Sequence, residues 1–211
     1  YHSGVIRIPT GVDAEWFTPG ERMDSEVVYL WNGLIWGDPV YQNVQMILRA
    51  FPEVVRKVPG ARLWIVGDGR LWDRFQADLA DRVDFPVKTT RAVPPDQMPE
   101  ILRQADVGLL PIAEDTEWAA AKSPTKLFEY MASGLAVVAG NIGEVRQVIE
   151  HGTDGFLAQN EEEFVDCLVR VGRDASLRKR IGMNARLKAE REYSLPVLGS
   201  RLAEFLRSLL Q

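Results

Sequence analysis

The sequence predicts an α/β fold built as a doubly wound, Rossmann-like parallel sheet, on three observations. Short β-branched and aromatic runs alternate with segments whose apolar residues recur at helical spacing, six such strand-then-helix units follow one another, and the pattern after Asp174 is helical only. Consecutive parallel strands need crossover connections, and those crossovers place helices on both faces of the sheet.

The units read in order as follows. "VVYLW" (27–31) is the first strand, and "NVQMILRAFPEVVRKV" (43–58) follows it as a helix after a Gly/Pro loop. "ARLWIVG" precedes the helical "LWDRFQADLADR", "FPVKTT" precedes "PDQMPEILRQA", and "DVGLLPI" precedes "SPTKLFEYMAS". "LAVVAG" is paired with "GEVRQVIE", and "GFLA" with "EEEFVDCLVRVG". Two further helices, "SLRKRIGMNARLKAERE" and "LPVLGSRLAEFLRSLL", complete the chain. The expected organisation is a leader over 1–25, one α/β domain over 26–174, and C-terminal helices over 175–211 packed on that domain.

Composition narrows the function classes. The chain has 211 residues, 46% hydrophobic and 26% charged, which suits a globular protein with a full core. A net charge of -5 gives no general attraction to nucleic acid or anionic membranes. The single cysteine, Cys167, has no intramolecular disulfide partner, and no Cys/His spacing matches a zinc site, so a reducing, cytoplasmic compartment is expected. No apolar run approaches the roughly 20 residues that span a bilayer, and "YHSGVIRIPTG" lacks the plan of a signal peptide. The missing initiator Met points to a piece of a longer protein.

Sheets of this class bind ligands at the carboxyl ends of their strands, where helix N-termini present N–H groups and a positive dipole end. An anionic ligand is therefore expected. "VGDGR" (66–70) is a strand, a glycine turn and a helix start; a simple tight turn is the competing reading, and the third glycine of a dinucleotide fingerprint is missing. "SPTKLFEYMASG" (123–134) carries more. Ser123 is expected to cap a helix with Pro124 as its first residue, leaving the N–H groups of Thr125 and Lys126 for an anion. A lysine in the first turn opposes the dipole, which calls for a negative partner, with an ordinary surface lysine as the alternative. Leu127, Phe128 and Met131 face a core, whereas Glu129 faces the helix mouth, where its carboxylate suits a ribose diol; a Glu satisfied by Lys126 or solvent is the other reading.

The run "SPTKLFEYMASGLAVVAGNIGEVRQVIEHGTDGFLAQNEEEF", together with "IPTGVDAEWFTPG", "WIVGDGR" and "ADVGLLP", resembles the C-terminal, nucleotide-sugar-binding domain of GT-B glycosyltransferases of family 4, the group 1 retaining enzymes. The resemblance covers essentially the whole chain. It implies the C-terminal half of a GT-B fold, a UDP- or GDP-sugar as donor substrate, no cofactor and no metal, and an acceptor held by an N-terminal domain of the same full-length chain. It also implies that this half alone transfers no sugar.

On single residues, the resemblance makes Glu129 the ribose-binding member of the family's Glu pair. Ser123, Pro124, Thr125, Lys126 and Leu127 then form the helix mouth that holds the diphosphate, with Lys126 and Glu129 as the catalytic candidates. Arg91, Ala92 and Val93 fall where the family lines the base. Gly33 and Gly67 fall at the glycines after the first and second strands, where backbone approaches the donor.

Two departures stand out. The first Glu of the pair is replaced by Ala121, with Glu114, Asp115 and Glu117 as nearby acidic residues. The basic residues expected after the first strand are missing from "NGLIWGDPVYQN", where Leu34 follows the glycine. Positive charge aimed at a departing diphosphate stabilises the transition state, so its loss opens an alternative: a degenerate, non-catalytic domain that serves as a binding or interaction module.

Other features have ordinary explanations available. His2 and His151 are loop residues, and Trp31 and Trp64 belong to strands and a core. Trp36, Trp72 and Trp118 fall in or beside ligand-facing loops. Arg178, Lys179, Arg180, Arg186, Lys188 and Arg191 form a basic stretch that reads either as a peripheral membrane contact or as a solvated helix face, the second being the commoner meaning of such a run.

Overall fold

The computed structural model describes residues 5–21, 26–111, 117 and 123–210. Its centre is a six-stranded sheet of β1 (Val27–Leu34), β2 (Ala61–Asp68), β3 (Val87–Arg91), β4 (Val107–Leu110), β5 (Ala136–Gly140) and β6 (Phe156–Ala158). Every neighbouring pair is parallel. The order β3-β2-β1-β4-β5-β6 makes β1 and β4 the place where the winding reverses. The doubly wound expectation therefore holds, and the strand order adds what alternation alone left open.

The helices are α1 (Asp38–Lys57), α2 (Trp72–Arg82), α3 (Met98–Leu102), α4 (Thr125–Ala132), α5 (Val145–Val148), α6 (Glu161–Arg173), α7 (Ala175–Lys188) and α8 (Leu195–Ser208). Strand parity decides which helix covers which face, since successive side chains point oppositely. Tyr29, Trp31, Leu63, Ile65, Val107 and Leu109 form one core with α1, α2 and α6. Leu30, Trp64, Val66, Val137 and Ala139 form the other with α3, α4 and α5. Each strand of the centre thus buries both faces, which explains why "VVYLW" and "LAVVAG" read as continuous apolar runs.

The sequence at the ends of the chain is drawn into this packing. Val12 N–H donates to the Tyr193 carbonyl at 3.0 Å, and Leu195 N–H returns to the Val12 carbonyl at 3.0 Å. Val12 and Phe17 are buried in the α3–α4–α5 core. The basic stretch turns out to be several things rather than one face. Arg178 donates to the carbonyls of Val171 and Gly172, Arg186 to those of Ala14, Phe17 and Ala132, and Lys188 pairs with Asp154. Lys179, Arg180 and Arg191 are exposed. Among the described residues no helix is long and apolar enough to cross a membrane.

Candidate functional site

The carboxyl ends of β1, β2 and β3 align the candidate residues in one row. Gly33 is in register with Gly67, and Gly67 with Arg91. Gly67 is required there, since a Cβ on it would collide with the Gly33 carbonyl oxygen, whereas one on residue 33 would lie 2.5 Å from the movable Lys126 Nζ and 3.0 Å from the Trp31 ring. The turn that follows β2 uses Gly69 at φ 122, a backbone conformation side chains avoid, and a Cβ on it would lie 2.8 Å from the Ile35 backbone.

Lys126 thus reaches from the first turn of α4 across the crevice to the end of β1. Its ammonium lies 4.9 Å from the centre of the Trp31 ring, a cation–π geometry that holds the charge against an apolar surface. Trp31 is buried, as expected for a strand residue, and Lys126 stands over its ring. One turn on, Glu129 is half-buried. Burial raises its carboxyl above the usual range, and the charge of Lys126 pulls it back. No hydrogen bond to the Glu129 carboxylate is found among the described residues.

Two local expectations at the helix mouth are corrected. Ser123 does not cap α4: the capping position is Pro124, without a side-chain cap bond, and Ser123 Oγ instead accepts from Thr10 Oγ1 at 2.8 Å. Nor is the Thr125 N–H left for a ligand, because it donates to the Ser123 carbonyl at 3.1 Å. The reason is Pro124, whose φ of -85 and ψ of 78 fold the chain back in an inverse γ-turn. The Leu127 N–H is taken by the Pro124 carbonyl at 2.8 Å, and the Leu127 side chain is fully buried.

At the end of β3, Arg91 Nη1 donates to both carboxylate oxygens of Asp68 at 2.9 and 3.1 Å, and Arg91 Nη2 reaches Asp73 at 3.3 Å. Ala92 is exposed and Val93 half-buried. Leu34 and Trp36 are 47% and 62% exposed, so the place where the family resemblance expects basic residues presents apolar surface instead. Trp72 is buried at 3% and packs on Phe75 at 5.2 Å between ring centroids, so it belongs to the core and not to a ligand loop. Ala121, Glu114, Asp115 and Trp118 lie outside the described residues.

Sequence reading missed the pair that joins the two sides of the crevice. The Tyr130 hydroxyl donates to Asn32 Oδ1 at 2.6 Å and accepts the Asn32 N–H at 3.2 Å. A usable signal was present: Asn32 is a polar residue directly continuing a buried apolar strand, and a buried amide needs a partner. Asp68 and Asp73 were missed for the opposite reason, since an acidic residue near a turn has many ordinary uses.

Comparisons with known proteins agree with this architecture. The family model described as glycosyl transferases group 1 matches residues 28–174. The Corynebacterium glutamicum protein named GDP-mannose-dependent monoacylated alpha-(1-6)-phosphatidylinositol monomannoside mannosyltransferase is 25% identical over 219 residues, covering 98% of this chain and 57% of its own. The Mycobacterium tuberculosis phosphatidyl-myo-inositol mannosyltransferase is 28% identical over 208 residues, covering 95% and 53%. The chain spans about half the length of these relatives. Among solved structures, the C-terminal domain of a glycosyl transferase group 1 family protein from Francisella tularensis matches with TM-score 0.71 and 20% identity, over 88% of this chain and 100% of that one. Anabaena HepE in complex with UDP matches with TM-score 0.72 and 19% identity, over 95% and 57%. A Rossmann-like sheet wound about β1 and β4, a glycine row at its carboxyl edge and a family match across 28–174 lead to one conclusion: this chain belongs to the group 1 glycosyltransferases and has the fold of their GT-B C-terminal domain.

Proposed function

We propose that this chain is the donor-binding half of a retaining glycosyltransferase that moves a sugar from a UDP- or GDP-sugar to an acceptor held by an N-terminal domain of a longer, cytoplasmic protein. The observation that carries the reading is the ammonium of Lys126 standing at Gly33, with Glu129 one helical turn behind it. The names of a GDP-mannose-dependent relative and of a UDP-bound structural neighbour support a nucleoside diphosphate donor.

In this reading each residue has a physical task. Lys126 and the amino end of α4 face the diphosphate, and the ammonium balances the negative charge that grows on the leaving group as the glycosidic bond to phosphate breaks. Glu129 accepts hydrogen bonds from the ribose hydroxyls. Gly33 and Gly67 admit the ligand close to the backbone. Arg91, Ala92 and Val93 border the base, while Ser123, Pro124, Thr125 and Leu127 shape the helix mouth.

A second reading, a binding module without turnover, is favoured by the exposed Leu34 and by Ala121, which replace charge and a carboxylate. Titration of the chain with UDP, GDP and ADP by protein-observed NMR, beside a Glu129→Ala variant, tests the donor site. Binding of one nucleotide, weakened roughly tenfold or more in the variant, is expected, since a lost hydrogen bond to a charged group has about that effect. Binding by none of the three overturns the donor reading. Sugar transfer by the full-length protein then separates the enzyme from the module.

A further inference from the structure

We propose that Tyr130 is a positioning residue for the donor site: its buried hydroxyl replaces the missing β1–β4 ladder at the crevice and sets the spacing between Gly33 and the Lys126–Glu129 helix. The inference rests on the donor reading of Lys126 and Glu129.

Strands β1 and β4 pair only through Tyr29 with Val107 and Leu30 with Gly108. Beyond Leu30 the two strands part, as a switch point requires, and the next inward N–H on β1 has lost its strand partner. That N–H belongs to Asn32, and it donates to the Tyr130 oxygen at 3.2 Å. The same hydroxyl donates to Asn32 Oδ1 at 2.6 Å, so backbone and side chain of one residue are both tied to α4.

Room for this bridge is made on the third side. A Cβ on Gly108 would lie 2.5 Å from the Tyr130 ring, so glycine in β4 is what lets the ring approach the strand this closely. Asn32 and Tyr130 are 7% and 0% exposed, away from competing water. Their chain neighbours are the site: Trp31 and Gly33 flank Asn32, and Glu129 precedes Tyr130. A shift of α4 relative to β1 therefore moves the ammonium and the carboxylate together.

The test is a comparison of four proteins by NMR titration with UDP and GDP: wild type, Tyr130→Phe, Glu129→Ala and Tyr29→Phe. Tyr29 provides the control, because its buried hydroxyl also makes a hydrogen bond, to the Leu168 carbonyl at 3.0 Å, but on the far face of the sheet. Tyr130→Phe loses both bonds of the bridge and is expected to weaken nucleotide binding roughly three- to tenfold, since only part of their net worth is felt at the site. It should also shift the Gly33 and Lys126 amide signals of the unliganded protein. Tyr29→Phe should lower Tm comparably and leave both readouts unchanged.

Asn32→Leu removes the side-chain half of the bridge, keeping the bond from the residue 32 N–H to the Tyr130 oxygen, and stands in with a smaller expected effect if Tyr130→Phe does not fold. Unchanged affinity in Tyr130→Phe, with Glu129→Ala weakened, overturns the positioning role and leaves the donor reading in place. Equal losses in Tyr130→Phe and Tyr29→Phe overturn it as well, by showing a general loss of stability. No nucleotide binding by wild type overturns the donor reading and, with it, the role of Tyr130.

Discussion

The ammonium of Lys126 lies 2.5 Å from where a methyl group on residue 33 would stand, so the identity of residue 33 and the position of that charge are linked. Gly33→Ala is expected to displace the lysine tip at modest cost in stability, because the most obstructed atom ends a flexible side chain and the Trp31 ring, 3.0 Å away, has to give only slightly. Nucleoside diphosphate affinity should fall roughly tenfold, the scale of a charge-assisted contact, while Tm stays close to wild type. Calorimetric titration alongside a melting curve measures both; unchanged affinity would separate Lys126 from the diphosphate.

Glu129 sets up an opposition between stability and binding. Burial holds its carboxyl above the ordinary range, so the folded state keeps the proton to higher pH than the unfolded chain does. Stability linked to the neutral form is complete below the ordinary carboxylate value and is lost as pH rises through the raised one. Glu129→Gln is therefore expected to raise Tm at neutral pH and to flatten that pH dependence. If the carboxylate holds the ribose, the same variant binds nucleotide more weakly. Wild-type affinity should then drop on acidification at a pH above the ordinary carboxylate range, and the Gln variant should not share that drop.

Helix α7 rests on the end of α4 through two glycines. Gly134, at φ 70, closes α4: its N–H donates to the Met131 carbonyl and the Leu135 N–H to the Tyr130 carbonyl, both at 3.0 Å. A Cβ on Gly182 would collide with the Gly134 carbonyl oxygen, backbone that yields poorly. Gly182→Ala should cost about 2 kcal/mol net of the helix propensity that alanine gains. Denaturant melts of the two proteins give the difference, and a neutral result would mean that α7 can lift from α4 freely.

Lys188 and Asp154 form a largely buried ion pair at 2.7 Å, with side chains 17% and 6% exposed. Asp154 also accepts the Glu150 N–H at 2.8 Å, closing the turn before β6. Lys188→Met keeps the apolar stem and strands a buried carboxylate, which should cost roughly 3 kcal/mol. Urea unfolding monitored by tryptophan fluorescence measures it; a loss well under that value would place Asp154 in contact with water.

Much of the fold was legible because it depends on local pattern. The alternation of β-branched runs with helical spacing predicts parallel strands and two helical layers, and "SPTKLFEYMASG" locates a helix mouth by its residue types. The helix start was misread by about one residue because Pro124 can begin a helix or close a γ-turn, and the choice depends on what holds Ser123. Thr10, far away in sequence, holds it.

The sequence by itself determined the fold class, the family and the stretch that carries the candidate site, since each is encoded in periodicity and in motifs along one segment. Only the tertiary structure decided the strand order, the row of Gly33, Gly67 and Arg91, the reach of Lys126 to Gly33 and the Tyr130–Asn32 bridge. Those relations join residues tens of positions apart, and their distances are set by how the strands pair and the helices pack, quantities that no local pattern contains.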